Sequence, residues 1–166
     1  MNQTKVVALP EIEHLLGRLH GACQGFYGDR LVSLVVFGSV GRGTPRPDSD
    51  VDLLVVADPL PDGRIPRVRE FDEVERSVVE RGSVEGAHRL SPIFKTPAEV
   101  RRGSPLFLDM LDDARFLYDR DGFFAGVLGA LKERLDKLGA KRIWKGTSWY
   151  WDLKPDFKPG DEIVLF

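Results

Sequence analysis

Two aspartates separated by one valine, Asp50-Val51-Asp52, head the apolar run DVDLLVVA at 50–57. If that run is a strand, its side chains alternate between faces, so Asp50 and Asp52 point the same way. At a rise of about 3.3 Å per residue their Cα atoms lie roughly 6–7 Å apart. Leu54 and Val56 continue that face, and Val51, Leu53 and Val55 occupy the other. Carboxylates this close disfavour each other's ionisation unless a cation sits between them. Mg²⁺, as one ion or as a pair about 3.5–4 Å apart, supplies that compensation. Asp50 and Asp52 are therefore the candidate catalytic and metal-binding residues.

Ten residues before this pair stands Gly38-Ser39, in FGSVGRGTP at 37–45. The apolar run LVSLVVF precedes it, so the glycines follow a strand and open a short helix. Glycine lets the backbone approach a ligand closely, and free N–H groups at a helix start favour an anion. Ser39 adds a hydroxyl. Arg42 adds a fork suited to phosphate, and can equally pair with a carboxylate to hold the turn. The two halves together read as a triphosphate cradle, Gly38, Ser39 and Arg42, beside a magnesium-binding acid pair.

Other motif matches fail on particular residues. Asp48 to Asp52 imitates the start of an EF-hand loop, but Leu53 and Pro59 stand where that loop needs glycine and glutamate. No Gly-Lys-Ser/Thr follows the glycines, which excludes a Walker A loop, and their spacing is wrong for a dinucleotide fingerprint.

The elements that must position these residues are legible from periodicity. Ile12, Leu15, Leu16, Leu19, Cys23 and Phe26 keep helical spacing from Pro10 to Tyr27-Gly28. Residues 31–37 and 50–57 read as buried strands. A Pro- and Asp-containing loop at 58–66 leads to a helix over 67–81 with Val68, Phe71, Val74 and Val78 apolar. A third strand is expected within 84–95. Thr96-Pro97-Ala98-Glu99 has the form of a capping box with proline at the first helical position. Ser104-Pro105 restarts a helix with Leu108 and Leu111 inward, 114–119 reads as a fourth strand, and 121–138 is a helix ended by Gly139. The order predicts an α/β (α+β) fold with a single mixed sheet covered by helices. The stretch 141–166 is aromatic and proline-containing and reads as an extended C-terminal tail packing on the body or on a partner. The division is thus a domain over 1–140 and an extension over 141–166.

The chain has 166 residues and a net charge of −2, so it is not marked as a general nucleic-acid binder. Its one cysteine, Cys23, excludes an internal disulfide and a cysteine-rich metal site. No run reaches the length of a membrane span, and the N-terminus does not read as a signal peptide. A cytoplasmic location is expected.

FGSVGRGTPRPDSDVDLLVV resembles the motif of the DNA polymerase β-like nucleotidyltransferase superfamily, and more narrowly the minimal nucleotidyltransferases, with Gly38-Ser39, ten residues, then Asp50-Val51-Asp52. The resemblance implies a nucleotidyltransferase fold over about 10–140 and Mg²⁺-dependent transfer of a nucleoside monophosphate, AMP from ATP, to a protein or small-molecule acceptor. It implies that Gly38 and Ser39 hold the β and γ phosphates and that Asp50 and Asp52 bind two Mg²⁺ ions. It also implies a small helical partner of the HEPN type, for which such proteins serve as antitoxins. Many members carry a third carboxylate on the strand before Thr96-Pro97. Between Glu85 and Glu99 there is no acid, so Glu85 is the candidate. The alternative is a catalytically degenerate module that binds nucleotide or a partner.

Of the remaining residues, Trp144, Trp149, Tyr150 and Trp151 lie near Lys141, Arg142 and Lys145 and are read as packing or interface residues. His14, His20 and His88 lack metal-ligand spacing. Asp109, Asp112 and Asp113 are expected in water at a helix end.

Overall fold

The computed structural model describes residues 9–46, 49–80, 89–146 and 148–166. Its elements are α1 (Leu9–Tyr27), β1 (Leu31–Phe37), α2 (Gly38–Gly41), β2 (Val51–Ala57), α3 (Arg64–Glu80), β3 (Leu90–Lys95), α4 (Pro97–Arg101), α5 (Phe107–Asp113), β4 (Arg115–Asp119), α6 (Phe123–Leu138), β5 (Lys141–Lys145) and β6 (Ser148–Asp152). Four strands form one mixed sheet in the order β3-β2-β1-β4. β1 is antiparallel to β2 and to β4, and β2 is parallel to β3. This is the mixed α+β sheet that the order of periodic segments predicts.

Alternation on β2 builds two cores. Val51, Leu53 and Val55 face the cluster formed with α1 and α3, where Leu16, Leu19, Phe71 and Val74 are buried. Leu54 and Val56 face a second cluster with Val100, Phe107, Met110, Phe124 and Leu131, from α4, α5 and α6. Asp52 belongs by alternation to this second face. A strand covered on both sides needs a continuous apolar run, which is why all of β1 is buried.

Local signals place the helix ends. Thr96 accepts from Glu99 N at 3.2 Å and donates its own N–H to Glu99 Oε2 at 2.7 Å, closing the capping box that starts α4. Gly139 adopts the left-handed conformation after α6, where Ala140 N donates to Leu135 O at 2.9 Å. α5 begins at Phe107, two residues beyond Ser104-Pro105, which form a turn instead. Val68 on α3 is more than one-third exposed and lies off the buried stripe of Phe71, Val74 and Val78. Ser33, buried in β1, donates to Asp119 Oδ1 at 2.6 Å, and Asp119 accepts from Phe124 N and Ala125 N at the start of α6.

Strands β5 and β6 pair antiparallel, with Trp144 opposite Trp149. Trp151 of β6, with Leu153 and Leu165 beyond it, packs against the second core. Arg142 lies under both Trp144 and Trp149, 5.0 and 4.0 Å from the ring centroids, and bonds Asp112 at 2.8 Å. Among the described residues, no helix is long and apolar enough to cross a membrane.

Phe107 is fully buried and meets the Phe124 ring edge-on at 5.2 Å. Phe107→Ala should lower stability by about 3–5 kcal/mol, whereas Thr96→Ala should cost about 1 kcal/mol. Urea unfolding of the two variants checks both the size and the order of these effects.

Candidate functional site

The antiparallel register of β1 and β2 assembles the site. Phe37, the last residue of β1, pairs with Asp52, so the Gly38-Ser39 turn emerges directly beside that carboxylate. The chain between the two strands turns through α2, with Arg42 N donating to Gly38 O at 3.0 Å and Thr44 N to Ser39 O at 2.9 Å. Ser49 N donates to Arg46 O at 3.0 Å and Ser49 Oγ accepts from Arg46 N at 2.8 Å, which returns the chain to Asp50. Asp50 stands one residue before β2 and is exposed; Asp52 is half-buried within it.

The glycines have a structural reason. Gly38 has φ +67°, and a Cβ there would overlap the Asp52 carboxylate. Gly41 lies so close to the main-chain carbonyl of Asp113, the last residue of α5, that a Cβ would overlap that oxygen. The two small residues let strand β2 and helix α5 close on α2 from different sides. The expectation that these glycines make room for a ligand is thus joined by a second use, close approach of the chain to itself.

Charge is arranged around the same turn. Burial, and then the neighbouring Asp50 carboxylate, push the Asp52 carboxyl above the ordinary range, with Arg42 opposing. The Arg42 guanidinium pairs with Asp113. Asp113 is only 3% exposed, so it is not the solvated helix-end residue that its sequence position suggests. Asp109, one turn earlier on α5, has its carboxyl raised by burial and by Asp113, with Arg142 and Arg42 opposing. Asp112 is exposed and bonds Arg142.

An excess of negative charge at Asp50 and Asp52 is what a divalent cation would neutralise. Among the described residues no group of three or more His, Cys, Asp or Glu side chains gathers as a metal site. Two carboxylates still fit Mg²⁺, which is commonly held by one or two carboxylates together with substrate phosphates. β3 carries no acid, and the residue opposite Asp52 on it is Ser91. Glu85, the candidate third ligand, lies outside the described residues, as does His88. A groove of about 640 Å³ follows the free side of β3 from Ser91, walled by Arg64, Phe94 and the Arg67–Glu99 pair, which meets at 2.8 and 3.0 Å.

What sequence reasoning missed is the contact of α5 with the turn. Asp113 touches Arg42 from 71 positions away in the chain, and nothing in local periodicity brings them together. The only available signal was the alternative role of Arg42 as the partner of a carboxylate.

A raised carboxyl at Asp52 means that folding disfavours its charged form. The associated stability is present while the group is protonated and is lost as pH rises through the carboxylate range. Asp52→Asn should therefore raise the melting temperature of the metal-free protein at pH 7. The difference from wild type should shrink as pH falls below that range, as followed by thermal melts from pH 7 downward.

The chain is similar in sequence to known proteins. The family model described as a nucleotidyltransferase domain matches residues 19–104. A Methanocaldococcus jannaschii protein named "Putative protein adenylyltransferase" is 32% identical over 140 residues, spanning 83% of this chain and 92% of its own length. Among solved structures, a toxin-antitoxin with AMP-PNP is similar at a TM-score of 0.48 and 16% identity, covering 74% of this chain and 90% of that one. A spectinomycin adenyltransferase from Enterococcus faecialis, with ATP and spectinomycin, is similar at 0.46 and 13%, covering 75% and 67%.

Proposed function

This chain belongs to the nucleotidyltransferase family and is a transferase, and from that premise we propose that it moves AMP from ATP onto a protein hydroxyl, releasing pyrophosphate. The observation that carries the reading is the pairing of Phe37 with Asp52, which sets the Gly38-Ser39 turn beside a carboxyl that burial and the neighbouring Asp50 push above its ordinary range. The name of the Methanocaldococcus jannaschii relative supports a protein as the acceptor. A HEPN-type helical partner is the specific acceptor that the motif resemblance supplies. The cytoplasm, where ATP and such a partner would both be found, is the proposed location.

In the reaction the acceptor oxygen attacks the α-phosphorus, the bond from that phosphorus to the β-bridging oxygen breaks, and pyrophosphate leaves with the electron pair. The hydroxyl proton passes to solvent. Transfer of this kind depends on positioning and charge neutralisation more than on covalent catalysis. Gly38 and Ser39 hold the β and γ phosphates, Ser39 through its hydroxyl and the turn through its main-chain N–H groups. Arg42 faces the same phosphates from the end of the turn. Asp50 and Asp52 would hold Mg²⁺, which would neutralise phosphate charge and relieve the repulsion between the two acids.

The test uses ATP labelled at the α-phosphate, Mg²⁺ and lysate from the source cell. A labelled protein band is expected with wild type, reduced about a hundredfold or more by Asp50→Asn or Asp52→Asn. Label transferred equally by the double variant would show that these aspartates are not the site. MgATP binding without any transfer would favour the binding module, for which the acid-free β3 is the supporting observation.

A further inference from the structure

Asp113 ends α5 and is buried, as is Met110 one turn before it in the second core. A buried carboxylate is costly unless it is paired, and its partner is one nitrogen, Nη1, of Arg42. The Arg42 side chain is 40% exposed, so the ion pair engages one nitrogen of the guanidinium while the side chain still reaches solvent. Among the described residues Arg42 has no other hydrogen-bond partner for its side chain. The same residue, Asp113, also presents its main-chain carbonyl to Gly41, with no room for a Cβ between them. One residue of α5 thus holds two consecutive residues of the turn, and Arg42 N is tied back to Gly38 O. Asp109, one turn earlier, contributes charge to the cluster without a bond to Arg42, which singles out Asp113.

We infer that Asp113 is a positioning residue for nucleotide binding: its buried carboxylate grips Arg42 by one nitrogen so that the remaining donors of the fork face the phosphates at Gly38-Ser39. The inference rests on the proposed site and deepens it. A guanidinium held by one nitrogen loses little further freedom when its other donors bind a phosphate, whereas an unheld arginine must be ordered by the ligand itself. The consequence is specific to phosphate. A residue that merely stabilised the fold would affect binding of the nucleoside as much as that of the triphosphate.

The experiment measures equilibrium binding of MgATP, magnesium tripolyphosphate and adenosine to wild type, Asp113→Asn, Arg42→Lys and the double variant. Arg42→Lys keeps a cation beside the buried carboxylate, so folding is preserved while the fork is lost, and melting curves verify this. Asp113→Asn should weaken MgATP and tripolyphosphate by about tenfold, the size of one charge-assisted contact, and adenosine by less than about twofold. KM for MgATP should rise by the same factor with kcat nearly unchanged. In the Arg42→Lys background, Asp113→Asn should add almost nothing, because the two act through one interaction. Unchanged triphosphate affinity, equal loss for adenosine, or additive losses in the double variant would each overturn the inference while leaving the site reading intact. Wild-type protein that binds none of the three ligands would remove the site reading and this inference with it.

Discussion

The pairing of Phe37 with Asp52 is the constraint on which the rest of the site depends. It brings together the end of one strand and the start of the next, and with them the glycine turn and the acid pair. Register is fixed because both strands are buried on both faces; a shift by one residue would send Asp52 to the other face and break two cores at once. The cores that flank the sheet, one built with α1 and α3 and one with α4, α5 and α6, therefore do more than supply stability. They hold the relative phase of two short motifs to within a single residue.

The site carries a cost that the fold absorbs elsewhere. Burial raises the Asp52 carboxyl, and repulsion from Asp50 raises it further. Gly38 is held at a positive φ against that carboxylate. The half-buried, like-charged carboxylate is destabilising on its own, and the glycine is the residue that tolerates this φ. The carboxylate is tolerated because β1 and β2 are clamped by apolar packing, and because the turn is braced from its far side by α5 through Asp113. Metal and triphosphate would turn the repulsion into coordination.

Much of this was legible in the sequence. The alternation in DVDLLVV is enough by itself to assign Asp52 to one face, and Thr96-Pro97-Ala98-Glu99 announces a helix start that forms as its side chains require. These are local signals with a fixed period or a fixed spacing. What was not legible depends on packing between distant segments. Asp113 reads as a solvated helix-end acid because its neighbours in the chain, Asp112 and Ala114, say nothing about Arg42. Ser104-Pro105 has the form of a helix start, yet the chain turns there and α5 begins at Phe107, where an aromatic ring enters the second core. Val68 fits the helical spacing of α3 but lies at the margin of the stripe that the sheet covers.

On the proposed function, the Gly38-Ser39 turn and the Asp50–Asp52 pair form one nucleotide site. A crystal structure with a non-hydrolysable ATP analogue and Mg²⁺ tests it most directly. The β and γ phosphates are expected against Gly38 and Ser39, with metal bound by Asp50 and Asp52 on the same side of the sheet. A triphosphate bound elsewhere, for example in the groove along β3 between Arg64 and Arg67, with no metal at the two aspartates, would contradict that reading.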